Sequence, residues 1–562
     1  MAQHELSHDQ QVASVRETVE SIWIAIVLAF VLRAFVLEAF MIPTGSMAPR
    51  LMGQHFQFDC PACGYHYAVG PKDPRNPNSG PRDPECPSCR FETSPQPGAY
   101  SFGGDRVLVL KYLYRFRKPR AWDVVVFKNP LNNQENYIKR LIGRPGEQIQ
   151  VYGGDVYVRE GKDYDGNGVI DAKDFETPEC LADEQCRWHI LHKPPKTQKA
   201  MWQIIYDDDF PPDPDVFDAE GNQQWKAVWD TKSPSWRLGL RGGTAFEFTG
   251  GDVAAVNFTT DRSRFLDFYA YNGARSGSNV CNDLNLSFLF IPDSADSRVG
   301  LHISSGDNHF RAWVRASGEV SLEHGLANGA GEVTWEDKPW GEVPLAPLEV
   351  GRGHEIALTH ADYRVTLWVN DKAVIRSTKS QVARLLAGAL EAVELGRKAL
   401  DLPVPTVEII GAGGRSRLRH IKLMRDVFYT TQGVEGDPDR AGWGTPGNPM
   451  TLRKFLTEPD LDEFFVLGDN SPNSKDSRMW GTHDPTIRGS DYARELAKYN
   501  GRTDGTYAFT VPGPKGDYPY RYYNGTVPRY NMMGKAFFVY WPGGFRIGVP
   551  IVPNVGRMRL IR

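Results

Sequence analysis

Pro43-Thr44-Gly45-Ser46-Met47-Ala48-Pro49 and Tyr137-Ile138-Lys139-Arg140-Leu141-Ile142-Gly143 are the two stretches on which the reading of this chain turns. The first follows directly on an apolar, helix-like segment and presents a serine between Gly45 and Met47. The second sets one lysine in an apolar, strand-like run. Strand alternation puts Tyr137, Lys139 and Leu141 on one face and Ile138, Arg140 and Ile142 on the other. A serine needs a base to become a nucleophile, and a lysine serves if its surroundings keep it neutral. Apolar neighbours lower a lysine's pKa by desolvation. Arg140 cannot take that part, because a guanidinium stays protonated.

Upstream, Ile22 to Ile42 reads IWIAIVLAFVLRAFVLEAFMI, interrupted only by Arg33 and Glu38. That reaches about the 20 residues a membrane-spanning helix needs. The expectation is a tail at 1–20 and an uncleaved transmembrane anchor at 21–42, with the alternative a removable signal peptide. Against the alternative, the tail with Arg16, Glu17 and Glu20 lacks a basic leading region, and Ser46-Met47-Ala48 runs straight into Pro49. Downstream, Gly104-Asp105-Arg106-Val107-Leu108-Val109 and Arg120-Ala121-Trp122-Asp123-Val124-Val125-Val126-Phe127 each read as a turn feeding a strand. Much later Phe464-Phe465-Val466-Leu467 runs into Gly468-Asp469-Asn470-Ser471-Pro472-Asn473-Ser474-Lys475-Asp476-Ser477-Arg478. Such a density of small polar groups after an apolar strand suits a loop beside an active site. Hydroxyls there can position a lysine amine, and Asp476 with Arg478 can fix the loop.

With 562 residues, 41% of them hydrophobic, the chain can bury a large core and is long enough for more than one domain. Its 65 basic and 69 acidic residues nearly balance, at a net charge of -4, so nothing argues for a nucleic-acid partner. The 55 glycines, 40 prolines and 12% aromatics lean toward a mainly β, turn-rich architecture.

Taken in order, anchor, serine, Gly-Asp-x-Val strand, lysine strand and Gly-Asp-Asn loop, the chain resembles the bacterial type I signal peptidases, membrane-anchored serine/lysine endopeptidases. The resemblance rests on Pro43–Leu51, Gly104–Val109, Arg120–Glu147 and Gly468–Gly481, with a looser fit at Gly534–Gly543. It implies Ser46 as nucleophile and Lys139 as general base. It also implies an oxyanion hole made by the Ser46 backbone N–H and the Thr44 hydroxyl. Ser474 resembles the residue that hydrogen-bonds the lysine, and Asp476 and Arg478 the structural pair. Thr44 stands where the family often has serine, and Arg50 where it usually has a small or hydroxyl residue. The implied substrates are exported preproteins with small side chains at the −1 and −3 positions. The implied place is the cytoplasmic (inner) membrane, single-pass, with membrane lipid as partner and the catalytic domain outside the cytoplasm. No cofactor is expected for catalysis.

Cys60-Pro61-Ala62-Cys63 and Cys86-Pro87-Ser88-Cys89 form two C-P-x-C knuckles within an insert at 58–92. Four thiolates so spaced suit tetrahedral structural zinc, and the alternative is two disulfides. Cys180 and Cys186 are expected to pair, leaving Cys281 as a buried thiol. Asp163 to Asp174 follows an EF-hand loop, with Asp163, Asp165, Asn167 and Asp174 as calcium ligands and Gly168 and Ile170 inside it. Its alternative is a solvated turn.

From Trp225 to Tyr429 the pattern changes to short alternating segments, among them Phe265–Tyr271, Leu284–Phe290, Phe310–Val314 and Leu418–Met424. Asn370-Asp371-Lys372 between Tyr363–Val369 and Ala373–Ser377 is a hairpin signal, and Gln381–Ala399 reads as a helix. Evenly spaced short strands predict a β-sandwich, similar in pattern to laminin-G or concanavalin-like sandwiches. The expected division is a catalytic domain at 43–160 and 430–562, a linker at 161–224 and an inserted sandwich at 225–429. Because the expected catalytic residues lie before Glu147 or after Phe464, the sandwich is expected to fold as its own unit and to supply no catalytic group. Two rivals remain: an anchored binding protein with an inert peptidase core and a glycan- or protein-binding sandwich, and a self-cleaving Ser/Lys enzyme. The intact Ser46, Lys139 and Ser474 oppose the first, and the absence of a DNA-binding helix pair opposes the second.

Overall fold

The computed structural model describes residues 8–562 apart from 74, 75, 77, 78, 95–100, 131, 214, 216–226, 240–244, 275, 432–441, 481–508, 514, 515, 521–524, 544, 548, 553 and 554. Residues 1–7 of the tail, 216–224 of the linker, Trp225 and Gly481 therefore lie outside the described residues. The fold is mainly β.

The apolar segment at the start is not one helix. A helix covers His8–Val31, a wider turn Leu32–Val36, and Leu37–Met41 is a strand. That strand pairs antiparallel with Arg106–Leu110, Leu37 opposite Leu110 and Met41 opposite Arg106. Residues 37–41, expected at the end of the anchor, thus belong to a sheet. Ladder hydrogen bonds and a 3.1 Å ion pair between Glu38 and Lys111 win over helical continuation there. Among the described residues no helix is long and apolar enough to cross a membrane.

An eight-stranded antiparallel sheet carries both motifs. Its order is Leu37–Met41, Arg106–Leu110, Met532–Trp541, Val124–Asn129, Asn132–Gly143, Glu463–Leu467 and Val527–Pro528, with Arg559–Leu560 paired to Met532–Trp541. A strand from near the end of the sequence thus fills the middle of a sheet begun near its start. The core closes only when the chain returns from the long excursion between. A four-stranded sheet of His189–Ile190, Asp155–Glu160, Glu147–Tyr152 and Met450–Thr451 packs beside it, Ile149 and Val151 sharing a core with Phe465 and Leu467.

Two further eight-stranded antiparallel sheets face each other across one core containing Phe288, Phe290, Leu301, Ile303, Leu367, Ile409 and Leu423. This is a β-sandwich, and it includes more than residues 225–429. Gln203–Asp207, expected in the linker, is a strand paired with Ser416–Arg425. At the other edge Val427 and Tyr429 pack into the core of the neighbouring four-stranded sheet. The hairpin joins Arg364–Val369 to Lys372–Arg376 through Asn370 and Asp371, both at positive φ, as a tight turn matching strand twist requires. The helix is Lys379–Glu394, opened by a Thr378/Gln381 capping box. Its apolar side, with Val382, Leu386 and Val393, packs on Tyr157 and Trp188. Phe265–Tyr271 is not a strand: it falls across two short 3-10 turns, Arg262–Phe265 and Ala270–Asn272.

Candidate active site

Ser46 sits in a single 3-10 turn, Gly45–Met47, directly after the first strand of the sheet. The loop around it is closed by backbone bonds, Ile42 N to Asp105 O (2.9 Å), Asp105 N to Met52 O (2.8 Å) and Gln54 N to Pro43 O (3.3 Å). The Asp105 carboxylate also accepts from Met52 N at 2.9 Å. Gly53 is needed for this closure, since a Cβ there would lie 2.3 Å from the Thr44 carbonyl carbon. Thr44 is exposed, and its side chain makes no capping bond to the turn.

Lys139 projects from Asn132–Gly143, opposite Val125 in the neighbouring strand. Its Nζ donates to Ser46 Oγ at 2.5 Å. The serine is 6% exposed and the lysine 4%. Burial pushes the Lys139 ammonium down to about 8, outweighing the opposing pull of Asp476 and Asp469 and aided by Arg478. At pH 7 roughly a tenth of such a lysine is neutral, against well under a thousandth at its ordinary value.

The Gly468–Arg478 loop forms the floor. Arg478 grips Asp476 through Nη2–Oδ2 at 2.7 Å and Nε–Oδ1 at 2.9 Å, and reaches Ser471 Oγ at 2.7 Å. Burial alone would push the Asp476 carboxyl up, but the Arg478 guanidinium holds it below its usual range. Ser474 is buried beside Asp476, whose carboxyl its hydroxyl helps to hold down, and the structure shows no bond from it to Lys139. The hydroxyl lies against the Gly468 backbone instead, where a Cβ would come within 2.2 Å of it.

Sequence reasoning missed a buried ion pair. Arg140 binds Asp469 through two 2.6 Å bonds, Nε–Oδ1 and Nη2–Oδ2, with both side chains 1% exposed. It clamps the lysine strand to the loop. Alternation had turned Arg140 correctly away from Lys139, but no local signal names a partner 329 residues on.

The second omission comes from the sandwich. Its Tyr269–Asn272 segment reaches the serine loop: Tyr271 Oη donates to Gln54 O at 2.6 Å and Tyr269 Oη to Asp469 O at 2.9 Å. The Tyr271 ring lies so close over Gly45 that a Cβ there would fall 1.8 Å from Cε1. The 58–92 insert supports this approach, with Arg264 donating to Ser88 O (2.7 Å) and Cys89 O (3.1 Å), and Arg90 stacked 3.9 Å over Phe268.

The four knuckle cysteines are free, and their sulfurs all lie within 4.8 Å of one another. Cys60 Sγ to Cys89 Sγ is 3.4 Å and Cys63 Sγ to Cys86 Sγ 3.6 Å, separations that fit the edges of a four-sulfur tetrahedron and not disulfide bonds. Asp163, Asp165 and Asp174 also converge within 4.8 Å. There Asp163 accepts from the N–H groups of Asn167 and Gly168, both at 3.0 Å, while Asn167 Nδ2 donates to Asp165 at 3.0 Å and its Oδ1 accepts from Val169 N at 2.7 Å. Cys180 and Cys186 form a disulfide, and Cys281 is a buried free thiol.

A buried serine bonded to a buried, easily neutralised lysine on a β-rich scaffold defines a site suited to nucleophilic hydrolysis. Residues 93–199, which include Lys139 but not Ser46, match the family described as "Signal peptidase, peptidase S26". Signal peptidase I of Leptolyngbya laminosa is 39% identical over 80 residues, 13% of this chain and 38% of that protein. Signal peptidase I of Rickettsia typhi is 26% identical over 149 residues, 26% of this chain and 45% of that protein. The chain thus spans less than half the length of these relatives. The carbohydrate-binding module CBM66 from Bacillus subtilis covers 35% of this chain and 94% of its own at 13% identity, but with a TM-score of 0.21, too low to carry an argument. The family and the named relatives support a signal peptidase type of enzyme over part of the chain.

Proposed function

We propose that this protein is a membrane-held endopeptidase that removes signal peptides from exported preproteins through a Ser46/Lys139 acyl-enzyme. The observation that carries the reading is the 2.5 Å bond from Lys139 Nζ to Ser46 Oγ, with the lysine buried enough to titrate near 8. Neutral Lys139 takes the hydroxyl proton as Oγ attacks the scissile carbonyl. The new C–O bond forms, and the ammonium returns its proton to the leaving amine as the C–N bond breaks. Water, deprotonated by Lys139, then releases the acyl group and frees Ser46. In this reading the Ser46 backbone N–H and the Thr44 hydroxyl receive the oxyanion, a contribution typically of about 3–4 kcal/mol per donor. The resemblance supplies the substrate class, small side chains at −1 and −3. In this reading Ser474 positions the lysine amine, as the resemblance implies, with Asp476 and Arg478 fixing the loop.

Attachment to the bilayer rests on the helix His8–Val31. Ile22, Trp23, Ile24, Val27, Leu28 and Phe30 are 52–68% exposed, an apolar surface with no protein cover. Lipid is the environment that would bury it, holding the enzyme to the membrane through this apolar face without requiring the helix to cross. The four knuckle thiolates would hold one zinc ion, which cross-links two tight turns. The Asp163, Asp165, Asn167 and Asp174 loop would hold calcium in a structural role.

The test is cleavage of a preprotein by detergent-solubilised enzyme, with sequencing of the new amino terminus. Wild type should cut after a small residue, Ser46→Ala should not cut, and the rate should rise from pH 6 to a plateau above about 8. A flat profile over that range, or activity surviving in Ser46→Ala, would rule the dyad out.

A further inference from the structure

We infer that the sandwich supplies a positioning residue for the nucleophile: Asn272, acting through Asn470, sets the orientation of the Ser46 peptide. This rests on the Ser46/Lys139 reading above. Asn470 is fully buried. Its backbone N–H donates to Ser46 O at 3.0 Å and its side-chain Nδ2 to Gly45 O at 3.0 Å, so one residue holds two consecutive carbonyls of the serine turn. An amide can hold Gly45 O only with its nitrogen turned that way, and flipped it would place oxygen against oxygen. Asn272 opposes a flip of Asn470 alone, which would set like atoms of the two amides against each other, and so adds to the preference that Gly45 O imposes. Asn470 Nδ2 donates to Asn272 Oδ1 at 2.8 Å and Asn272 Nδ2 donates to Asn470 Oδ1 at 2.8 Å. This reciprocal pair uses the second Nδ2 proton and the oxygen of Asn470, leaving one orientation satisfied at every atom.

Asn272 is itself pinned. It ends the Ala270–Asn272 turn, its carbonyl accepts from Arg82 Nη1 at 3.3 Å, and Gly70 N binds the preceding Tyr271 O at 2.8 Å. Both anchors belong to the cysteine-knuckle insert. Insert and sandwich together therefore form an outer clamp on the turn whose serine must meet Lys139 within hydrogen-bond distance. The demand is steep, since an ångström of misplacement costs orders of magnitude in rate. The sandwich gives no group to the chemistry, yet it is part of the catalytic unit.

The test compares Asn272→Ala and Asn272→Asp with wild type in the full-length protein. Alanine removes both bonds that hold the Asn470 amide from outside, and aspartate is isosteric but sets a carboxylate oxygen against Asn470 Oδ1. Both should lower kcat at least tenfold with KM within twofold, leave the alkaline plateau of the rate profile near pH 8, and leave the melting temperature within a few degrees. Amide hydrogen exchange, read by mass spectrometry on peptides covering 43–54 and 464–474, should quicken in both variants. Unchanged kcat and unchanged exchange in the isosteric Asn272→Asp would overturn the inference even if Asn272→Ala fails to fold. So would a kcat loss matched by a rise in KM. If wild type cleaves nothing, the Ser46/Lys139 reading fails by itself, while faster exchange at Ser46 would still uphold the clamp.

Discussion

Replacing Lys139 with methionine should abolish processing and at the same time stabilise the protein at neutral pH. The lysine's ordinary value is 10.5 and burial brings it down to about 8 in the folded state. A group whose folded pKa is depressed in this way binds fewer protons folded than unfolded across the interval between the two values. Its penalty is fully present below pH 8 and is relieved as pH rises toward 10.5. At about 1.36 kcal/mol per pKa unit, folding at pH 7 carries about 3 kcal/mol against it from this one ammonium. Methionine is of similar length and carries no charge to desolvate. It forfeits the 2.5 Å bond to Ser46, a loss of about 1 kcal/mol. The net expectation is a gain of about 2 kcal/mol at pH 7 that shrinks toward zero by pH 10. Thermal unfolding of both proteins in one detergent, at pH 7 and pH 10, measures it. A methionine variant less stable than wild type at pH 7, or a difference that does not change with pH, would refute the claim that this lysine is held near neutrality by burial.

Two further outcomes follow from the cysteine and aspartate clusters. Protein purified without added metal should carry one zinc per chain, and Cys60→Ser should lose it together with several degrees of melting temperature and part of the processing rate, because the insert backs the clamp on Ser46. Mass spectrometry showing two disulfides among Cys60, Cys63, Cys86 and Cys89 would contradict this. Calcium should raise the melting temperature of wild type, and Asp163→Ala with Asp165→Ala should remove that rise; no effect of calcium on wild type would leave the loop as a turn held by its own amides.

Ser46, Lys139 and the two cysteine knuckles were legible in the sequence because each is a local pattern. A serine in a Gly-rich turn, a lysine in an alternating strand and paired C-P-x-C units need only neighbours to be read. Alternation even set Arg140 on the face away from Lys139. Two local readings failed where pairing decided the outcome. Leu37–Met41 is apolar enough to extend a helix, but Arg106–Leu110 offers it a sheet edge. Phe265–Tyr271 has strand-like residues, yet its chain turns twice to reach the serine loop. Propensity cannot see an edge or a partner that lies elsewhere in the chain.

What the sequence determined by itself was the chemistry available: a serine, a lysine able to lose its charge, and a polar loop to surround them. Only the tertiary structure decided how these are held. Arg140 meets Asp469 across 329 residues, and Asn272 meets Asn470 across 198. The first depends on Glu463–Leu467 pairing with the lysine strand, the second on the sandwich docking against the cysteine insert. The physical reason is that a hydrogen bond's partner is selected by distance in space, which the order of residues encodes only through the whole fold.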